Sequence, residues 1–115
     1  MTLHDPADGP FLPVEGELYW VSTAILWGGD RKSTRPVVVI EASSGRVTRI
    51  VVVTRTTDTR RKGVPHQPMP EIGLTRPGVF ADLRSAERML WTPRNTCRLG
   101  ALPQDVFNDV MRRFG

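Results

Sequence analysis

The sequence predicts a mainly β fold with short helices, in which a small antiparallel β-barrel is closed by a C-terminal helix. Three observations lead to this prediction. Val37–Ile40 and Val47–Thr54 are runs of mostly β-branched residues suited to buried strands. Short segments connect strands that are neighbours in the sequence, which favours antiparallel pairing. Apolar residues recur at helical spacing near the end of the chain, between Val106 and Phe114.

The first third of the chain predicts an arm, two strands and the loop between them. Residues 1–14 are polar and contain proline, which indicates a flexible N-terminal arm. Glu17–Val21 is rich in aromatic and β-branched residues and predicts the first strand, with Trp20 expected in the core. The glycine-rich segment from Trp27 to Thr34 predicts a flexible basic loop. It leads into the Val37–Ile40 strand, which is apolar at every residue and is expected to be buried on both faces.

The rest of the chain predicts a turn, a proline-rich segment and the elements that complete the barrel. Ala42–Arg46 predicts a turn in which Gly45 takes a positive φ. The segment from Thr59 to Pro70 is polar and proline-rich, so we expect an exposed loop or a poor edge strand. Three elements are then expected: a strand at Gly78–Leu83, a helical turn at Arg84–Leu90 and a strand at Arg98–Leu102. The final helix has Pro103 in its first turn and packs its apolar stripe on the barrel.

Size and cysteine content bound the class of protein. A chain of 115 residues is large enough to form one modest core, and we assign residues 15–115 to a single domain. The single cysteine, Cys97, allows neither an internal disulfide nor a metal cluster, which fits a reducing cytoplasm. The first ten residues do not have the pattern of a signal peptide, and no apolar run approaches the roughly 20 residues of a membrane span. We expect a soluble cytoplasmic protein without a cofactor.

Charge is concentrated in the middle of the sequence. Residues 1–30 carry five acidic and no basic residues, a net charge of −5. Residues 31–62 carry nine basic and two acidic residues, a net charge of +7, and residues 63–115 have a net charge of +2. Fourteen of the sixteen basic residues are arginine, whose planar guanidinium suits phosphate and stacks on bases. This distribution indicates an anionic partner that contacts the middle third of the chain.

Four segments resemble, in order, motifs of the MazF/PemK family of toxin endoribonucleases from bacterial toxin–antitoxin pairs. They are Gly16–Val21, similar to the family's opening G-[DE]-hydrophobic-aromatic strand; Arg35–Ile40, similar to R-P-[AV]-[LV]-V-[IL]; Val51–Thr57, similar to a strand that ends in threonine; and Arg98–Pro103, similar to R-[LI]-G-x-L. Together the segments and the helix behind them span about residues 15 to 114. The ordered set is more specific than any one of its motifs.

The resemblance implies a fold and a reaction. The family's fold is a compact SH3-like β-barrel that usually forms a homodimer, with single-stranded RNA in a groove across the dimer. The implied reaction is metal-independent cleavage of RNA at a short sequence, in which the ribose 2′-OH attacks the adjacent phosphorus. It leaves a 2′,3′-cyclic phosphate and a 5′-OH. The implied partner is a cognate antitoxin that neutralises the toxin.

The resemblance also implies catalytic residues. The family's arginine before proline corresponds to Arg35, and its threonine corresponds best to Thr56, with Thr54 and Thr57 as alternative registers. A guanidinium and a hydroxyl suit the stabilisation of charge on non-bridging oxygens, but neither is a good base for the 2′-OH proton. Asp82 is a candidate base because some relatives carry an R-x-D triplet here, although this chain reads Phe-Ala-Asp. His66 is a second candidate.

Further residues are candidates for RNA binding. Trp27 lies in the glycine-rich loop, where it could stack on a base or cover the core. The basic candidates for contacts with RNA are Arg31, Lys32, Arg55, Arg60, Arg61 and His66. Each of these side chains also has a simpler interpretation as a solvated surface group.

Two other functions compete with the nuclease. One is a non-enzymatic toxin of the same fold, like the CcdB type that poisons DNA gyrase through aromatic residues at its C-terminus, which Phe114 resembles. The other is an SH3-like RNA-binding module without catalysis. Arg35, directly before a proline, favours the nuclease.

Overall fold

We describe residues 9–42 and 49–115 of the protein from a computed structural model. Its strands are β1 (Glu17–Ser22), β2 (Thr34–Glu41), β3 (Arg49–Thr56), β4 (Val64–His66), β5 (Gly78–Glu87) and β6 (Thr96–Ala101). They form one six-stranded antiparallel sheet in the order β4-β5-β3-β2-β1-β6. The sheet curls into a half-barrel with β4 and β6 at its edges. The α-helix α1 (Gln104–Phe114) follows β6, and the expected mainly β fold closed by a C-terminal helix is confirmed.

The sheet carries a hydrophobic cluster on each face, because side chains of β2 and β3 alternate between two buried environments. On the helix face, Val38 and Val53 pack with Phe80 and with Val110 of α1. On the Trp91 face, residues such as Val37 and Val52 pack around the fully buried Trp91. A strand with apolar residues at every position is therefore buried on both sides, as the valine runs predicted.

The apolar stripe of α1 packs against the helix face, as its spacing predicted. The stripe consists of Val106, Phe107, Val110, Met111 and Phe114. Pro103 immediately precedes the helix as its N-cap. Asp105 in the first turn and Arg112 and Arg113 in the last turn complement the helix dipole. Among the described residues, no helix is long and apolar enough to cross a membrane.

The proline-rich segment contains a short edge strand. β4 has three residues and, among the described strands, pairs with β5 alone; Pro65 is exposed in its middle. Proline cannot donate a hydrogen bond to a neighbouring strand, so it limits the length of the edge and blocks further pairing. The expectation of a poor edge strand between Thr59 and Pro70 is confirmed.

Two local expectations are wrong. Trp20 was expected in the core but is 45% exposed, because β1 directs Tyr19 and Val21 into the Trp91 face and the helix-face cluster extends only as far as Leu18. The helical turn expected at Arg84–Leu90 is mostly strand.

β5 continues through Glu87, where it pairs with Arg49 at the start of β3, and only Arg88–Leu90 forms a 3-10 turn. Strand pairing therefore overrode the local helical pattern. The predicted turn around Gly45 and the start of the strand predicted from Val47 lie outside the described residues.

Candidate functional site

Arg35 stands at the start of β2 with its guanidinium fixed but still accessible. Its Nε donates to Oδ2 of Asp30 at 2.5 Å, and its Nη1 lies 3.5 Å from the carbonyl oxygen of Arg55. The side chain of Arg35 is 21% exposed, whereas that of Asp30 is 7% exposed. Of the five N–H donors of a guanidinium, the three that remain have no partner among the described residues. They are available to an anion.

Asp30 serves as the counter-ion of Arg35. The hydrogen bond from Arg35 is the largest cause that holds the pKa of Asp30 below its ordinary value, and the backbone N–H of Lys32 adds to it at 2.9 Å. The carboxylate therefore stays ionised and holds the guanidinium in one position. Sequence reasoning did not assign a role to Asp30, although an acid five residues before the key arginine in a glycine-rich loop was a usable signal.

The first residue of the glycine-rich loop, Trp27, is hydrogen-bonded to β5. The backbone N–H of Trp27 donates to the carbonyl of Ser85, and Nη1 of Arg84 donates to the carbonyl of Trp27, both at 2.9 Å. Gly28 and Gly29 then turn the chain with positive φ angles of 103° and 71°. A Cβ on Gly28 would lie 2.2 Å from Nη1 of Arg84, so the close approach of Arg84 requires glycine. These contacts hold the part of the loop that precedes Asp30 in the sequence.

The strand register brings two threonines near Arg35. Thr54 pairs with Val37 of β2 and with Asp82 of β5. By strand alternation, Arg35 of β2 and Thr54 and Thr56 of β3 fall on the same face as Val37 and Val52, which is the Trp91 face. The structure thus brings Arg35, Thr56 and Thr54 to one face at one end of the half-barrel.

The two threonine hydroxyls differ in their availability. Thr54 is 3% exposed, and its Oγ1 lies 3.4 Å from the carbonyl oxygen of Asp82, which can accept its proton. Thr56 is half-buried, and its Oγ1 accepts the backbone N–H of Asp58 at 3.1 Å, which leaves its own O–H free to donate. Thr57 is exposed beyond the end of β3. Thr56 is therefore the threonine whose hydroxyl can donate to a ligand beside Arg35.

Asp82 has an arginine partner from another part of the chain. Nη2 of Arg61, in the segment between β3 and β4, donates to Oδ1 of Asp82 at 2.6 Å. Both side chains are partly exposed, and Oδ2 of Asp82 has no hydrogen-bond partner among the described residues. Phe80 occupies the place of the arginine in the R-x-D triplet and is fully buried. Arg61 thus supplies a guanidinium beside Asp82 that the local sequence lacks.

An open groove of about 670 Å³ surrounds this ion pair. Its lining residues are Trp27, Gly28, Arg61, Ala81, Asp82, Leu83 and Arg84. Trp27 is 54% exposed, and the guanidinium of Arg49 lies over its ring at 5.0 Å from the centroid. The groove therefore combines cationic groups, a carboxylate with a free oxygen and an exposed aromatic surface. Neither Arg84 nor Arg49 was assigned to the site from the sequence.

Arg55 and His66 lie on the opposite face of the sheet and do not reach this groove. They are 8% and 6% exposed, and Nε of Arg55 donates to Nε2 of His66 at 3.2 Å. Nη2 of Arg55 also donates to the carbonyl of Arg76 at 2.8 Å. A Cβ on Gly78 would lie 2.5 Å from Nε of Arg55, so the pair also depends on a glycine. The ring of His66 packs against Phe80 with centroids 5.2 Å apart.

The buried pair has a defined protonation state. Burial lowers the pKa of His66 below its ordinary value, and the charge of Arg55 lowers it further, against the opposing effect of the Gln67 carbonyl. That carbonyl lies 2.8 Å from Nδ1, so Nδ1 carries the proton and Nε2 accepts from Arg55. Burial also lowers the pKa of Arg55, with a further contribution from Arg76. His66 is therefore a neutral acceptor inside the protein.

The remaining basic candidates are on the surface and do not line the groove. Arg31 and Lys32 are exposed and line a second open concavity of about 480 Å³ with Asp30. Arg60 is strongly exposed and pairs with Asp58 at 3.0 Å. Of the residues expected to bind RNA, the structure brings Trp27 and Arg61 together at the groove.

The comparisons with known proteins show the same fold. The chain superposes on a chain from the crystal structure of a MazE–MazF complex (form II) from Deinococcus radiodurans with a TM-score of 0.64. The superposition covers 91% of this chain and 93% of that chain, at 19% sequence identity. No protein-family model matches the sequence, and no curated protein matches it. The fold implied by the resemblance is thus confirmed by a solved structure.

Proposed function

We propose that the protein is the toxin of a toxin–antitoxin pair and acts as a sequence-specific, metal-independent endoribonuclease on single-stranded RNA. The observation that carries the proposal is the geometry of Arg35. It is held by a nearly buried carboxylate, keeps free N–H donors and shares one face of the sheet with Thr56 and Asp82. The fold shared with a chain of a MazE–MazF complex supports the same assignment.

In the proposed reaction the 2′-oxygen of a ribose attacks the adjacent phosphorus and the bond from phosphorus to the 5′-oxygen breaks. Arg35 donates to a non-bridging oxygen as charge develops on it, and the O–H of Thr56 donates a second hydrogen bond. Asp82 accepts the 2′-OH proton on Oδ2, while Arg61 holds Oδ1. The leaving 5′-oxygen takes a proton from water in the open groove. The products are a 2′,3′-cyclic phosphate and a 5′-OH.

The charge of the chain supports binding of RNA at the groove. Arg61 and Arg84 line the groove, and the guanidinium of Arg49 lies over the ring of Trp27 in its wall. Neutralisation of phosphates by such residues releases counterions, so RNA affinity should fall steeply as salt is raised. Trp27 offers an aromatic surface for a base, since stacking is the usual way in which unpaired bases are bound.

The proposed partners are a second copy of the chain and a cognate antitoxin. An acidic, disordered antitoxin segment could fold along the same basic groove, which would exclude RNA. A labelled RNA complex of the Arg35→Ala protein should release its RNA when the antitoxin peptide is added. A ternary complex that holds both at full affinity would place the inhibitor at another site.

The gyrase-poison alternative gains no support from the C-terminus. Phe114 packs against the helix-face core, and the guanidinium of Arg113 lies 5.8 Å from its ring centroid. Phe114 is thus partly buried against the protein's own core. The nuclease remains the better explanation of the ordered charges around Arg35.

The test is cleavage of single-stranded RNA by purified protein in excess EDTA, with analysis of the product ends. We expect 2′,3′-cyclic phosphate and 5′-OH ends from wild type, no cleavage by Arg35→Ala and unchanged cleavage by Arg60→Ala. Arg60 is the matched control because its side chain is 90% exposed and, among the described residues, pairs only with Asp58. Intact RNA with wild type, or 5′-phosphate ends, would refute the proposal.

A further inference from the structure

A smaller pocket adjoins the groove and shares Trp27 and Gly28 with it. We call it the Leu90 pocket; it measures about 320 Å³ and is lined by Ala24, Ile25, Leu26, Trp27, Gly28, Glu87 and Leu90. Its volume falls at the lower end of the roughly 300–1,000 Å³ typical of small-ligand sites. Trp27 and Gly28 line both the pocket and the groove. A strand that crosses Trp27 can therefore place one group in each.

The pocket has a rigid apolar floor. Ile25 and Leu26 are each 7% exposed, and Leu26 is bridged to Ala86 of β5. Leu90 on the opposite wall is 41% exposed. The backbone of Trp27 is fixed to β5 by its hydrogen bonds. The pocket is thus lined mainly by apolar side chains that are held against β5.

Glu87 is the charged residue of the lining, and its carboxylate is unpaired among the described residues. Arg49 lies directly opposite Glu87 in the pairing of β3 with β5. Its guanidinium instead lies over the ring of Trp27, and the described part of the chain places no basic group within 4.0 Å of Glu87. Arg49 thereby supports one face of the tryptophan and leaves the carboxylate free to accept hydrogen bonds at the mouth of the pocket.

We propose that the Leu90 pocket is a specificity site that binds a guanine base of the RNA strand lying in the groove. Guanine presents two adjacent N–H donors, N1–H and the N2 amino group, to the two oxygens of one carboxylate. Uracil, cytosine and adenine present only one such donor group on this edge. Glu87 reads the donors while the ring contacts Trp27 and Leu90. The inference rests on the proposed function, because the groove must hold RNA.

The experiment measures binding, so that it does not depend on cleavage. Labelled uridine oligonucleotides that carry a single guanine, adenine or cytosine are titrated into Arg35→Ala protein and followed by fluorescence anisotropy. The guanine oligonucleotide should bind about tenfold more tightly than the others, as expected for a bidentate contact with a base. In the Glu87→Gln background the preference should disappear, because one amide oxygen cannot accept from both donors.

The control is Glu71→Gln, which removes the same charge at another place on the surface. Glu71 is an exposed acid on the 3-10 turn Pro70–Ile72. The Glu71→Gln variant should keep the preference for guanine. Equal binding of all oligonucleotides, or a preference that persists in Glu87→Gln, would overturn the inference without affecting the nuclease. A guanine preference that depends on Glu87 in a protein that never cleaves RNA would instead leave the pocket standing and refute the proposed activity.

Discussion

Arg35 and Arg55 lie on the neighbouring strands β2 and β3, and Nη1 of Arg35 lies 3.5 Å from the carbonyl oxygen of Arg55. The surroundings of their two guanidinium groups nevertheless differ. Arg35 is paired with a carboxylate and keeps free donors toward solvent. Arg55 is 8% exposed, and its hydrogen-bond partners are a neutral imidazole and a carbonyl. A buried cation without a carboxylate gains no ion-pair energy to offset its desolvation. Arg35 is therefore positioned to bind a ligand, whereas Arg55 supports the packing of the strands around it.

The largest expected effect comes from removing Arg35. Arg35→Ala should reduce single-turnover cleavage by about 10³-fold or more, as for other arginines that stabilise a transferring phosphoryl group. The variant should stay folded but lose about 1–3 kcal/mol of free energy of unfolding, because the nearly buried carboxylate of Asp30 loses its guanidinium partner. Arg35→Lys should recover only a small part of the rate, since one ammonium lacks the bidentate fork. Wild-type rates from the alanine variant would remove Arg35 from the mechanism.

The next largest effect should distinguish Thr56 from Thr54. Thr56→Ala should lower the cleavage rate by about 10²-fold, the cost of one transition-state donor, with little loss of stability. Thr54→Ala should instead lower the free energy of unfolding, because Thr54 is buried and its hydroxyl donates to the carbonyl of Asp82. The measurement is the rate and the urea midpoint of both variants. A lowered cleavage rate in Thr54→Ala, together with a wild-type rate in Thr56→Ala, would assign the catalytic hydroxyl to Thr54 instead of Thr56.

Arg55 should behave as a structural residue. Arg55→Ala should lower the free energy of unfolding by about 1–3 kcal/mol, because the acceptor Nε2 of His66 and the carbonyl of Arg76 lose their donors inside the protein. RNA affinity, measured at a temperature where the variant is folded, should stay close to that of wild type. Full stability with a large loss of RNA affinity would show that Arg55 contacts RNA after all, as its place in the basic segment first indicated.

The smallest effect concerns pH and the same buried pair. The pKa of His66 is lowered in the folded state, so the unfolded chain binds the proton more readily. The contribution of the neutral ring to stability is complete above the ordinary histidine pKa of about 6.5. It is lost as pH falls below that value toward the lower folded pKa. Urea midpoints from pH 8 to pH 5 should show this decline in wild type, and a variant His66→Gln should lack it; an equal decline in both would assign it to other groups.

The sequence predicted the strands well because β-branched runs and proline or glycine boundaries determine them locally. It misplaced Trp20, since alternation gives the face of a strand but not how far a core extends along it. It also could not reveal the Arg61–Asp82 pair or the contact of Arg84 with Trp27, because these join segments far apart in the chain. The same holds for the burial of Arg55.

The motif around Arg35 was readable because proline and valines follow it directly. Its counter-ion Asp30 was present in the same loop, but only the fold shows that the carboxylate is nearly buried against the guanidinium. Charge runs mark a surface only on average, and strand alternation separates neighbours such as Arg55 and Thr56 onto opposite faces. Site residues therefore need the register as well as the motif.

In the proposed reaction, the guanidinium of Arg35 provides the positive charge that cleavage requires. The most direct measurement is chemical rescue: single-turnover cleavage by Arg35→Ala and by Arg55→Ala, each with and without guanidinium ion at concentrations too low to unfold the protein. We expect guanidinium to raise the rate of Arg35→Ala in a saturable manner and to leave the rate of Arg55→Ala unchanged. Rescue of Arg55→Ala but not of Arg35→Ala would contradict this role of Arg35.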